Sequence, residues 1–477
     1  MSSMLSRLVG SFKRSAPPSN RHRRSLDPED DDDDDETSWI PHDHDFAERN
    51  VYSRPEFLSM SLEEEDISCD HAIRPVIRPN DRDRIPLGAG YAECINGGKS
   101  AKNEDQAAVG NFFLPHEPNG LTDDSRKMDV IEVQYFAVFD GHAGPGAALM
   151  AADQLVNHLQ EKLVDVQEDL FNLRIRESYA CAYVRDPSLV ITVDSLVRGA
   201  LEAAFVAFDE QIAQERLSFK ISGGCTALVA LVMLDKVYVA HAGDGRAVAF
   251  MGNEVITMAT EFTPETDGER IQYLAHVNPA LTHNFFSDNH FLRPLGKKDI
   301  GTRVLCRGPQ RSGWHYKEVT ERDVFCPPLV AGTGKWARLM GILGVTRGFG
   351  DHSLVVPGSR IQVKPFLTPV PEVRVLNLKD KTVTEDDILI MGCDGLWDML
   401  RTEQVGATVK QSLAKSKEDK NPDRLTQVAV DLLLLARGDN AGKGWKMKDG
   451  CDASFDDITV FAIPLNRCLA SQLKKSR

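Results

Sequence analysis

The sequence predicts an α+β protein in which antiparallel β-sheets pack as a sandwich with helices outside. Two patterns carry this: apolar strands mostly succeed one another, and helical stretches come in separate long blocks. Val130–Phe139 is β-rich and stops at Asp140-Gly141. Thr226–Leu234 and Lys236–His241 flank a tight turn at Asp235 and read as a hairpin, continued by Arg246–Phe250. Asp387–Met391 and Ile458–Ile463 are two further buried-type strands. Gly146–Val164, Asp194–Leu217 and Pro422–Ala436 place apolar residues at three- and four-residue spacing, the period of a helix with one face in a core.

The chain of 477 residues is long enough for one large domain with insertions. Its 42% hydrophobic and 27% charged residues are ordinary for a globular protein. No run of eighteen apolar residues appears, so no membrane-spanning helix is expected. Arg7, Lys13 and Arg14 interrupt the apolar start, which argues against a secretory signal, and Ser2 in place of Gly argues against N-myristoylation. The nine cysteines are scattered without Cys-x-x-Cys pairs, which suits free thiols in a reducing compartment. A formal charge of −15, from 71 acidic and 56 basic side chains, argues against a nucleic-acid partner. The expected location is the cytoplasm, with the nucleus also open.

Residues 1–84 read as an N-terminal extension, mostly disordered over 13–80, with short docking contacts around Arg54–Leu58. Residues 1–26 carry six Lys/Arg and no acid, and Glu29 to Glu36 is unbroken acid. Met4, Leu5, Leu8, Val9 and Phe12 share one face if residues 1–14 are helical. Such an amphipathic helix would place the chain reversibly on an anionic membrane surface; an unstructured leader and a mitochondrial presequence are the rival readings. The globular part is expected over 85–465, followed by a basic tail at 466–477. Within it, residues 277–340 break the strand rhythm with turn residues and with Phe285, Phe286, Phe291, Trp314, Tyr316 and Phe325. That composition favours a small folded insert over a disordered loop.

The chemistry lies in the carboxylates. Asp140, Asp244 and Asp394 each stand before a Gly at or just past the end of an apolar strand, Asp398 follows within the same motif as Asp394, and Asp456-Asp457 opens a strand. Glu104-Asp105 adds another acidic pair just before Gln106. One Asp-Gly is usually a turn. Several carboxylates delivered to one end of a sheet cannot all stay ionised without cations. Hard oxygen ligands suit Mg²⁺ or Mn²⁺, and no Cys/His spacing supports zinc.

These residues resemble the metal-dependent (type 2C) serine/threonine phosphatase family from about Gly88 to Leu465. The motifs are Asn103-Glu-Asp105, Phe139-Asp-Gly-His-Ala143, Gly223-Gly-Cys-Thr-Ala227, Gly243-Asp-Gly-Arg246, Thr346-Arg-Gly-Phe-Gly-Asp351, Asp394-Gly-Leu-Trp-Asp398 and Asp456-Asp-Ile-Thr-Val460, in family order. The resemblance implies a central antiparallel β-sandwich flanked by antiparallel helices, with two metals, and a third weaker one, at one end. It implies that Asp140 bridges two ions, that the Gly141 carbonyl binds one, and that Asp394 and Asp456 complete the pair. Glu104 and Asp105 would hold metal-bound waters, and Asp244 and Asp398 the third ion. Two ions about 3.5–4 Å apart lower the pKa of the water between them, whose hydroxide attacks the phosphoryl group in line. His142 would protonate the departing Ser/Thr oxygen. Phosphorylated proteins are the implied substrates.

The motifs depart from the family in three places. Ser100 stands where the family has a phosphate-gripping Arg, so Lys99 is expected to serve as a point charge, with Lys102 the alternative. Gly245 replaces a common Ser. Asp457 follows Asp456 where Asn is common, so either could be the ligand. Arg347 and Asp351 are expected to brace the site. The insert at 277–340 falls where the family carries its flap, and its expected task is choosing the phosphoprotein. A non-catalytic relative and a small-molecule phosphoesterase are the competing classes; the full carboxylate set disfavours the first, and the aromatic, basic flap the second.

Overall fold

A computed structural model describes residues 52–116, 129–176, 190–283, 285–287, 289–308, 313–440, 442 and 444–473. The helix expected over residues 1–14 lies outside them. Ten strands form the sandwich: β1 (Gly90–Cys94), β2 (Gln106–His116), β3 (Asp129–Phe139), β4 (Ala227–Met233), β5 (Lys236–Ala242), β6 (Arg246–Met251), β7 (Glu254–Ala259), β8 (Glu372–Asn377), β9 (Ile388–Gly392) and β10 (Ile458–Pro464). One sheet runs β1-β10-β9-β6-β7 and the other β8-β5-β4-β3-β2. Every pairing in both is antiparallel.

The central strands are apolar almost throughout, and because successive side chains point to opposite faces, they bury both faces of each sheet. In β4, Leu228, Ala230 and Val232 enter the core between the sheets, whereas Ala227, Val229, Leu231 and Met233 face the outer helices. In β10, Phe461 and Ile463 point inward and Ile458, Val460 and Ala462 outward. Each such fully buried Val, Leu or Ile contributes about 1.5–3 kcal/mol relative to exposure. Helix α2 (Gly146–Asp165) buries Ala151, Leu155, Leu159 and Leu163 at a spacing of four, and α3 (Val193–Glu215) buries Leu201, Phe205, Phe208 and Ile212. Thr192 caps α3, its hydroxyl accepting from Ser195 N at 3.1 Å. On the opposite face, α4 (Thr402–Glu418) and α5 (Arg424–Arg437) cover the first sheet. The α+β sandwich expected from the sequence is the fold observed.

Three boundaries differ from expectation. Residues 52–84 form ordered structure, with Phe57 and Leu58 buried at the docking contact expected around Arg54–Leu58. The order continues through the stretch expected mostly disordered, where Arg74 is buried and helix α1 (Leu62–Ser68) is capped reciprocally by Ser61 and Glu64. The expected tail at 466–477 instead begins as a helix over Leu465–Leu473, whose Leu465 and Cys468 join the inter-sheet core. The insert is folded around its own core, but that core reaches past 277–340: Phe286, Leu329 and Leu339 pack with Ile271, Val356, Val363 and Phe366. The sequence pattern misses these because their apolar residues are spread over short segments rather than one periodic run.

Candidate metal centre and active site

The end of β3 and the turn after it set the centre of the site. Asp140 is fixed through its main chain: its carbonyl accepts from Thr226 N at 2.9 Å and its N–H meets Thr226 Oγ1 at 3.4 Å. At Gly141 a Cβ would come within 2.4 Å of the Glu104 carbonyl, and at Gly395 within 1.9 Å of the Asp457 carbonyl. Both Asp-Gly pairs therefore need glycine for close backbone approach, and that approach draws the three acidic segments together. Asp394 opens a helical turn over Asp394–Trp397, which places Asp398 one turn on, its N–H bonded to the Asp394 carbonyl at 2.8 Å.

Ligand-type atoms of Asp140, Asp244 and Asp394 all lie within 4.8 Å of one another. Asp394 Oδ1 is buried without a hydrogen-bond partner. A buried carboxylate oxygen left unpaired is costly unless a cation serves it, so the donor set fits a hard divalent ion. Burial first, then Asp394 and Asp105, raise the Asp140 carboxyl well above the usual range. Burial and Asp394 do the same to Asp244. Burial, then Asp456 and Asp398, push Asp394 up to about 7, with Lys99 opposing. A folded carboxyl with a raised pKa holds its proton where the unfolded one has lost it. The metal-free fold thus loses stability as pH rises from about 4 through the folded Asp394 value of about 7. A bound divalent cation removes that penalty.

Cys393 shares a second cluster with Asp105 and Asp140. Its sulfur accepts from Thr459 N at 3.2 Å and its thiol donates to the Asp457 carbonyl at 3.5 Å, and burial pushes its pKa up, so it serves the fold as a thiol. Asp105 is buried, and its Oδ2 accepts from Thr459 Oγ1 at 2.7 Å. Burial, followed by Asp457, raises its carboxyl. Glu104 Oε1 accepts from Gly144 N at 2.6 Å, which ties it to the turn after His142.

The open choices at the rim separate on geometry. Asp457 Oδ1 accepts from Asn96 N at 2.8 Å and Nδ2 at 3.0 Å, and its Oδ2 from Glu104 N at 3.0 Å. It is consumed in holding the 96–104 loop. Asp456 pairs instead with Lys99 Nζ and adds to the potential at Asp394 and Asp398. Asp456, Asp140 and Asp394 in turn hold the Lys99 ammonium protonated against its burial. Lys102 is directed elsewhere, its Nζ 4.0 Å from the centre of the Tyr52 ring. Ser100, at the position of the missing Arg, bonds Asn96 Nδ2 at 2.9 Å and the Lys102 carbonyl at 2.7 Å.

His142 Nε2 is hydrogen-bonded to Asp351 Oδ2 at 2.6 Å. Asp351 has a left-handed backbone (φ 56°) and is nearly buried, with its N–H on the Gly223 carbonyl at 3.0 Å. Asp209 of α3, which sequence reasoning missed, accepts from Gly350 N at 2.9 Å and lies 3.1 Å from His352 Nε2, with Lys364 as its ion pair. It fixes the turn that presents Asp351. Arg347 does not reach the carboxylates: its guanidinium lies over Phe262 at 3.8 Å and bonds the Val370 carbonyl at 3.0 Å. Arg347 Nε is 3.6 Å from Asp267 Oδ2, so it braces the chain leading into the insert rather than the acidic site. The insert itself approaches the cluster at Lys335, whose charge lowers the carboxyl pKa that burial raises at Asp398.

The β-sandwich gathers buried carboxylates at the ends of its strands, with an Asp-supported histidine beside them, an arrangement able to hold divalent cations. The chain matches Protein phosphatase 2C over residues 115–272 and 331–440, and it belongs to that family of protein serine/threonine phosphatases. It is 39% identical to Protein phosphatase 1H of Xenopus tropicalis, over 88% of this chain and 93% of that protein. It is 41% identical to Protein phosphatase 1J of Rattus norvegicus, over 89% and 88%. A solved serine-threonine phosphatase 2C from Toxoplasma gondii is 17% identical with a TM-score of 0.41, covering 82% of this chain and 99% of that one. The break in the family match, between 272 and 331, coincides with most of the insert. The family is metal-dependent, and the acidic residues here can hold an ion.

Proposed function

We propose that this chain hydrolyses phosphoserine and phosphothreonine on proteins with two Mg²⁺ or Mn²⁺ ions held by Asp140, Asp394 and Asp456, with Gly141, Glu104 and Asp105 completing the shell. The observation that carries this is the convergence of Asp140, Asp244 and Asp394 on one point with Asp394 Oδ1 unpartnered. Asp244 and Asp398 are proposed for a third, weaker ion. When bound, the metals supply an activated water and offset phosphoryl charge. His142, oriented by Asp351, donates a proton to the leaving serine or threonine oxygen. Lys99 is within reach of the same rim and supplies a point charge for the phosphate.

The insert is proposed to select the substrate. Phe285, Trp314, Tyr316, Phe325 and Trp336 are exposed there, a density of aromatic side chains suited to a protein surface. Because Phe286, Leu329 and Leu339 share a core with residues outside the insert, the test keeps that core and changes only the exposed ring face. Trp314, Tyr316 and Phe325 replaced together by Ala are expected to leave p-nitrophenyl phosphate hydrolysis within a few-fold of wild type, while the ranking of a phosphoprotein panel collapses. Activity is measured in Mn²⁺ and again in EDTA. An unchanged ranking places selection elsewhere, and turnover of small phosphates alone favours a small-molecule phosphoesterase.

A further inference from the structure

Two arginines ahead of the family match lie fully buried behind the acidic site. Arg54 sends Nε and Nη2 to the two oxygens of Glu93 at 2.8 and 2.6 Å. Its Nη1 donates to the Asp105 carbonyl at 2.8 Å and meets the Asn103 carbonyl at 3.4 Å. Tyr91 Oη donates to Glu93 Oε2 at 2.5 Å, which completes the acid's partners. Arg74 is 0% exposed and is spent on main-chain carbonyls: Nε on Ile95, Nη1 on Ser454 and Nη2 on Asp456, each at 2.6 Å. Strand-like bonding between Ile77 and Glu93, at 2.8 and 2.9 Å, and the Phe57 ring edge-on to Tyr91 at 4.9 Å fasten the segment along β1.

Burying a guanidinium costs several kcal/mol unless its donors are satisfied. Here the satisfied donors fall on the two backbone stretches that carry the outer carboxylates, Asn103–Asp105 and Ser454–Asp456. Those stretches bear like charges facing Asp140 and Asp394, and in the absence of cations the charges drive them apart. A planar fork on fixed carbonyls resists that movement.

We propose that Arg54 and Arg74 are positioning residues for the metal site, holding the main chain of Asp105 and Asp456 so that their carboxylates stand ready for divalent cations. The N-terminal segment from Tyr52 is then part of the catalytic unit rather than a leader to it. The proposal rests on the metal reading above.

Full-length protein carrying Arg54→Met with Glu93→Gln, which removes both buried charges together, and full-length Arg74→Lys are titrated with Mn²⁺ by calorimetry. Melting in EDTA is recorded in parallel. Loss of groups that orient metal ligands typically weakens metal binding about 10–100-fold, and both variants are expected to show at least a tenfold weaker Mn²⁺ affinity. Phe57→Ala, which loosens the same segment without touching those carbonyls, is expected to lower the melting temperature and leave Mn²⁺ affinity within twofold. Arg54→Lys, which keeps a cation against Glu93, carries the test if the double variant does not fold. Wild-type affinity in the folded arginine variants overturns the proposal, as does an equal loss in Phe57→Ala. Failure of the wild type to bind Mn²⁺ at all overturns the metal reading and this proposal with it.

Discussion

Asp140→Asn is expected to lower phosphate release from a phosphoserine peptide at least about a thousandfold, and Asp394→Asn by a similar factor, in saturating Mn²⁺. The two carboxylates share one point with Asp244, and a neutral amide there cannot bridge cations. The same substitutions also relieve repulsion: Asp140 feels Asp394, Asp105, Asp456 and Asp244. Melting of both variants in EDTA is therefore expected at or above the wild-type temperature at pH 8. Activity and stability moving in opposite directions separate a lost ligand from a lost fold. A variant that melts well below wild type in EDTA would mean that the carboxylate serves the fold.

His142→Gln is expected to cost about 10²- to 10⁴-fold on the phosphoserine peptide, the usual contribution of a positioned general acid. On p-nitrophenyl phosphate the loss is expected to be much smaller, because p-nitrophenolate leaves without a proton whereas a serine alkoxide does not. Asp351→Asn, which keeps a hydrogen-bond partner at 2.6 Å but removes the charge behind the imidazole, is expected to fall between His142→Gln and wild type on the peptide. Equal losses on both substrates would assign His142 to phosphate or metal binding instead of proton transfer.

Much of the site is legible in the sequence because each central carboxylate is coupled to a local pattern. Asp140 and Asp394 follow apolar runs and precede glycines that allow the backbone to close on Glu104 and Asp457. The nearly unbroken apolar runs of β4 and β10 announce strands buried on both faces. Residues that act through long-range contacts carry no such signature. Arg54 and Arg74 lie in a stretch broken by Pro55, Pro75 and Pro79, and nothing near them foretells partners at Asp105 and Asp456. Asp456 and Asp457 are adjacent and chemically equal, and only the folded 96–104 loop shows which of them is occupied by backbone donors. Arg347 and Asp351 belong to one motif yet serve different places, Phe262 and His142. The insert hides its core because Ile271 and Phe366 close it from outside the irregular stretch.

The central claim, that the converging carboxylates hold divalent cations on which hydrolysis depends, is tested most directly by equilibrium dialysis of metal-stripped protein against Mn²⁺, with phosphate release followed on the same samples. The expected result is no turnover in EDTA and binding of at least two ions per chain, with activity returning in step with their occupancy. The midpoint should move to higher Mn²⁺ as pH falls below about 7, where Asp394 takes up its proton. Full-rate turnover in EDTA, or activity that returns without ions bound at these carboxylates, would contradict it.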